Sequence, residues 1–136
     1  MAAIGKLSDL EYLKALQSMN RVILNIPFKI VFFISIISVA LVPLFYFDLY
    51  PSNIFWLFIF ALVSYWVGAF SVTLFGNIPL NEKLDKINLK SISSQKIKLL
   101  RESIESNWNN LNLIRTISSF ITFLLLVLAL ILVNQI

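Results

Sequence analysis

Three long stretches of this chain carry no charge: Ile30 to Phe47, Ile54 to Phe75 and Thr116 to Val133 contain no Lys, Arg, Asp or Glu. About twenty apolar residues in a helix span the hydrocarbon of a bilayer, and each stretch is close to that length. Charged residues make up 13% of the chain, against about 25% in an ordinary soluble domain. A soluble protein of 136 residues must leave much of its surface wet, which this composition does not allow. The expected fold is therefore all-α, an integral membrane helical bundle formed as a single membrane domain over 1–136. Three transmembrane helices are expected at about 28–47, 54–75 and 114–133. An N-terminal amphipathic helix is expected at about 8–24, and a loop and helix over 76–113.

The charges set the expected orientation. All eleven basic residues lie in 1–29 or 83–115, and the turn at 48–53 and the tail after Val133 carry none. By the positive-inside rule, the N-terminus and the central loop are cytoplasmic, and the turn and the C-terminus lie outside. The expected location is a plasma membrane, the inner membrane in a bacterium, with the bilayer as first partner. The net charge of +4 follows this sidedness and comes with no basic-aromatic recognition pattern, so no nucleic-acid partner is expected.

The N-terminal stretch is not a signal peptide, because Lys6 is followed by Asp9 and Glu11 rather than by an apolar core. Ser8 and Glu11 have the spacing of a capping box. Leu10, Leu13, Leu16 and Ile23 fall on one helical face, with Glu11, Lys14, Gln17 and Arg21 elsewhere. Such a helix either lies on the membrane surface or packs on the end of the bundle. Asn25-Ile-Pro27 marks a helix start, and Pro43 is a candidate kink. Tyr46, Tyr50 and Trp56 flank the turn, at the depth amphipathic rings prefer. In the second span, Ser64, Gly68 and Ser71 fall near one stripe, which either allows close helix packing or lines a substrate groove. Gly76 to Ser93 is expected to be irregular and basic. Ser93 or Ser94 then caps a helix whose apolar positions Ile97, Leu100, Ile104, Trp108 and Leu111 recur at helical spacing. No Pro or Gly separates it from the third span.

The candidate site is a polar cluster at the cytoplasmic mouth. Trp108, Asn112 and Arg115 share a helical face, with Asn109 on a neighbouring stripe. Arg115 enters lipid, where it either snorkels to carbonyls and phosphates or binds an anionic or carbonyl-bearing ligand. Asn77 and Asn81 flank Pro79, as turn residues would, and are expected also to reach Asn112 or Arg115. Gln17 and Asn20 are expected to close the network from the first helix. Lys83, Lys86, Lys90 and Lys96 are expected to face water and anionic headgroups. The chain has no Cys and no His. Thiolate chemistry, the usual zinc and haem ligands and the commonest general base are thereby excluded. No metal site is expected.

Asn77-x-Pro79-Leu80-Asn81, followed by Trp108-Asn109-x-x-Asn112-x-x-Arg115-Thr116 and an apolar helix, resembles the anthrone-oxygenase-like family of small integral membrane proteins. Gln17-x-x-Asn20-Arg21 with Asn25 and Phe28 is similar to that family's earlier motif. The likeness covers nearly the whole chain. It implies a four-helix membrane bundle, and in fungal relatives it implies oxygenation of anthrones to anthraquinones without metal or flavin. Leu111 stands where a second Trp is common, and Leu113 where His is frequent, so a site that depends on that imidazole would not operate here. The family begins with a membrane helix ahead of the Gln-x-x-Asn motif, and Met1-Ala-Ala-Ile resembles the residues just after it. A truncated chain is therefore expected, whose native form has four spans and an N-terminus outside.

Two functions follow. The first is a non-catalytic protein that binds a lipophilic aromatic ligand or a partner, such as another copy of itself, within the bundle. The second is a cofactor-independent oxygenase acting on a flat phenol, to which Tyr65 could contribute a hydroxyl. The absence of intramembrane carboxylates argues against an ion-coupled transporter.

Overall fold

In a computed structural model, which describes residues 4–23 and 25–135, the chain is all-helical among the described residues, as expected. Leu24 and Met1–Ala3, which were compared above with the residues after a first family helix, lie outside these bounds. Helix α1 runs Asp9–Ile23 and α2 runs Ile26–Phe45. A 3-10 turn, Phe47–Leu49, leads to α3, which is continuous over Asn53–Asp85, and α4 runs Ser94–Val133. Helices α2, α3 and α4 are long and apolar enough to cross a membrane. They expose Phe33, Ile34, Phe60, Phe75, Phe120 and Phe123 among many other large apolar side chains. This is the surface of an integral membrane protein, whose solvent is lipid.

The helix starts follow from local chemistry. Asn25 caps α2, its side-chain oxygen accepting from the Phe28 N–H at 2.9 Å. Ser52 caps α3 through Phe55 N–H at 3.3 Å. Ser93 occupies the cap of α4, but its hydroxyl makes no capping bond. The capping box of α1 is half formed. Glu11 accepts from the Ser8 N–H at 3.2 Å, while the Ser8 hydroxyl donates to the same carboxylate rather than accepting from a backbone N–H. Pro43 lies within α2 and the helix ends two residues later, at Phe45.

The segment from Gly76 differs from its expected irregularity. Helix α3 continues through Asn77, Pro79 and Asn81 to Asp85. Two wide-turn, π-helical stretches, Ser64–Ser71 and Thr73–Asn77, precede Pro79. In an α-helix a proline ring meets the carbonyl four residues back and leaves it without a donor. A wider turn immediately before the ring moves that carbonyl aside. Two hydroxyls take up carbonyls inside these turns: Ser71 Oγ donates to Trp66 O at 2.8 Å and Thr73 Oγ1 to Ala69 O at 2.7 Å. The connection is thus only residues 86–93, where the Asn88 side chain accepts from the Lys90 N–H at 3.1 Å.

Helices α3 and α4 form the main interface. Gly68 lies against Ser118, and a methyl on Gly68 would sit 2.3 Å from Ser118 Cβ. Ser64 Oγ donates to Ser118 O at 3.1 Å, and buried Thr122 lies against Ala61 O at 3.3 Å. Small residues that let backbones approach, joined by hydroxyl bridges, are how helices associate in lipid. Of the two readings of the Ser64–Gly68–Ser71 stripe, Ser64 and Gly68 serve close packing.

The largest cluster of buried apolar side chains lies at the polar end of the bundle. Tyr12, Leu13 and Leu16 of α1 are fully or almost fully buried against Leu84, Leu89, Ile97 and Ile104. Helix α1 therefore packs on the bundle end. Its last turn still exposes Met19, Val22 and Ile23. Arg101 fastens this layer. Its guanidinium donates to Asp9 at 2.8 Å, Glu105 at 3.3 Å and the carbonyls of Leu7 and Gly5, both at 2.9 Å. It also stands 4.5 Å above the Tyr12 ring. The hydrogen bond to Asp9 most of all, and then Glu105, raise the Arg101 pKa.

Candidate functional site

A groove of about 300 Å³ opens between α2, α3 and α4. Phe28 and Phe32 of α2 form one wall, their rings stacked at 6.0 Å. Tyr65 and Thr73 come from the wide-turn part of α3, with Ala69 between them. Arg115 and Ser119 come from α4. The Thr73 hydroxyl is occupied by Ala69 O. Among the described residues no carboxylate lines the groove, and Arg115 makes one side-chain hydrogen bond, Nη2 to Asn112 Oδ1 at 2.7 Å. A guanidinium offers five N–H donors, so most of this one's capacity faces the groove or lipid. The result is an aromatic-walled slot with one fixed positive charge and three hydroxyls, from Tyr65, Thr116 and Ser119, suited to a flat apolar molecule bearing an anionic or carbonyl oxygen.

The polar cluster expected from the sequence divides into two places. Asn112 and Arg115 meet as their spacing predicts, and of the two Arg115 lines this groove. Gln17, Asn20 and Asn81 gather instead at the α1 end of α3. Gln17 Nε2 donates to Leu84 O at 2.8 Å and Ile87 O at 3.0 Å, holding the turn that follows α3. Asn20 and Asn81 line a common cleft. Neither Asn77 nor Asn81 hydrogen-bonds Asn112 or Arg115 among the described residues, because α3 stays helical through both asparagines and no turn folds them back. Asn77 is buried with its Oδ1 unpartnered, and Asn20 is buried with its Nδ2 unpartnered. Trp108 is half-buried and Asn109 exposed on α4, one to two turns before Arg115. Phe32, Thr73 and Ser119 carried no sequence signal, since an apolar or small residue inside a span looks the same on the groove side as on the lipid side.

Among the described residues no group of His, Cys, Asp and Glu is placed to hold a metal ion. A family model described as anthrone oxygenase matches residues 21–125. No curated protein and no solved structure matches the chain.

Proposed function

The chain belongs to the anthrone oxygenase family, and on that premise we propose that it binds a lipophilic, oxygen-bearing aromatic molecule in the groove beneath Arg115. The observation that carries this reading is the Arg115 guanidinium, set among aromatic walls with no carboxylate beside it. A cation near lipid is stabilised only by acceptors, and a bound phenolate or quinone oxygen supplies one. Phe28 and Phe32 would stack on the ring system, and the Tyr65 hydroxyl would meet a second oxygen. We place the three long helices across the bilayer with the 86–93 connection on the cytoplasmic side, as the basic residues favour.

Family membership favours a second reading, oxygenation without a cofactor. Here Arg115 would hold the anion of a hydroxylated anthrone, the electron-rich form that reacts with dioxygen, by favouring developing negative charge on the substrate oxygen.

One experiment tests both. The protein is placed in lipid nanodiscs and titrated with a hydroxylated anthrone under argon, and binding is followed by tryptophan fluorescence. Saturable binding is expected, weakened about tenfold in Arg115→Gln, the loss of one charge-assisted hydrogen bond. Binding that is indifferent to both Arg115→Gln and Ala69→Phe would refute the groove. Oxygen is then admitted: anthraquinone forming faster than in empty nanodiscs, and no faster in Arg115→Gln, supports the second reading, whereas no acceleration leaves the protein a binder.

A further inference from the structure

A second cleft lies at the polar end, away from the groove, between α1 and the stretch from Ile78 to Lys90. Its outer part measures about 340 Å³ and its inner part about 150 Å³; Arg21, Asp85 and Lys86 line both. The outer part has an unbalanced charge. Lys14, Lys86 and Lys90 line it, and among the described residues none of the three has a carboxylate within salt-bridge distance. Asp85, its one acid, is taken by Arg21 at 2.6 Å. The inner part has a different chemistry. Asn20 is only 8% exposed, and its Nδ2 donor has no partner. Beside it stand the Asn81 amide and the Glu82 carboxylate. A buried amide donor costs about 1–3 kcal/mol when unmatched; Nδ2 is closed off from the largely apolar inner part, so a rotation of the Asn20 amide that opened it would match it to a group that accepts from Asn20 and donates to Glu82. A hydroxyl does both. Apolar surface stands next to the cleft: Val22 and Ile26, next to Arg21 and at the start of α2, are 66% and 72% exposed.

We propose that this cleft binds the headgroup of an anionic phospholipid whose phosphodiester carries a polyol, with the phosphate against Lys14, Lys86 and Lys90 and the polyol hydroxyls between Asn20, Asn81 and Glu82. The three ammonium groups provide the charge and the two asparagines the selectivity. The Arg21–Asp85 pair stands between the two parts and sets their separation. Exposed Val22 and Ile26 would lie beside the acyl chains.

The test is native mass spectrometry of the full chain released from detergent, with phosphatidylglycerol, phosphatidic acid and phosphatidylcholine added in turn, and glycerol 3-phosphate as the soluble arm. Phosphatidylglycerol is expected to give one retained adduct and to outcompete the other two lipids. Lys86→Gln/Lys90→Gln, both at exposed positions, should weaken it about thirtyfold, the loss expected for two interfacial lysines. Asn20→Ser, or Asn81→Ala should Asn20→Ser fail to fold, should bring phosphatidylglycerol down to parity with phosphatidic acid. Equal retention of phosphatidylglycerol and phosphatidylcholine, or no loss in the double lysine variant, would overturn the site. Retained preference over phosphatidic acid in the asparagine variant would overturn the polyol assignment and leave Asn20 matched by water. Glycerol 3-phosphate binding as tightly as the lipid would overturn the membrane as the source.

Discussion

Gly68→Ala puts the α3–α4 contact to a quantitative test. A methyl at this position would stand 1.9 Å from Ser118 Oγ and 2.3 Å from Ser118 Cβ. The Oγ can rotate away, but the Cβ is fixed to the backbone. Restoring ordinary contact, at 3.4 Å or more, requires the helices to part by roughly 1 Å locally. A gap of that size forfeits about a quarter to a half of each dispersion contact it opens. It also stretches the Ser64 bond to Ser118 O and the Thr122 contact with Ala61 O, from 3.1 Å and 3.3 Å, each worth about 0.6 kcal/mol in a membrane. Overpacking costs about 1–3 kcal/mol, against which alanine's better helix propensity returns about 1 kcal/mol. The net expectation is a loss of about 1–3 kcal/mol. Unfolding in lipid–detergent micelles titrated with SDS, followed by tryptophan fluorescence, would measure it. In a Ser118→Gly background the same change should lose its cost. If Gly68→Ala proves more stable than the native chain by the propensity increment of about 1 kcal/mol, the two helices are not in contact here and the packing argument fails.

Arg101→Ala removes the clasp on α1 and should destabilise the polar end, because it breaks four hydrogen bonds, two of them to carboxylates. Hydrogen exchange would show it as faster exchange over 9–23 with α4 protection unchanged below the first turns. Arg101→Lys should rescue little, since an ammonium cannot fork between Asp9 and two carbonyls. The Ser8 hydroxyl first, and then the Ser8 N–H, hold the Glu11 carboxyl below the ordinary glutamate range. A depressed folded-state carboxylate contributes stability above its unfolded pKa, and that contribution fades as pH falls through the folded value. Fraying at the start of α1, read by limited proteolysis, should therefore increase as pH falls below the unfolded glutamate value of about 4.3 and lose that dependence in Glu11→Gln.

The apolar helices were legible in the sequence because charge exclusion is a strong signal over twenty residues. The unbroken α4 followed from the lack of Pro and Gly, and the Asn25 cap from its place before Pro27. The end of α3 was not legible. Gly76-Asn77-Ile78-Pro79 reads as a helix breaker, yet it remains helical behind two wide-turn stretches that no local sequence signal announces. At the site, Asn112 and Arg115 are three residues apart in one helix, so their bond could be foreseen. Whether Gln17, Asn20, Asn77 and Asn81 converged on it depended on how α3 continued and where α1 docked, and neither is encoded locally. Arg101 went unnoticed as a hub because its partners Gly5 and Leu7 contribute only backbone carbonyls.

Helix α4 has 40 residues, about 60 Å at 1.5 Å per residue, twice the roughly 30 Å of a hydrocarbon core. With no proline or glycine in it, this is a stiff mast whose charges all lie between Lys96 and Arg115, with Thr116 to Val133 free of charge. A tilt of about ten degrees swings a 30 Å arm by about 5 Å at its tip, and bilayers of different thickness impose different tilts. The charged arm carries Arg101, whose grip on α1 is short and directional. A change in the tilt of α4 would therefore move the grip that docks the first helix.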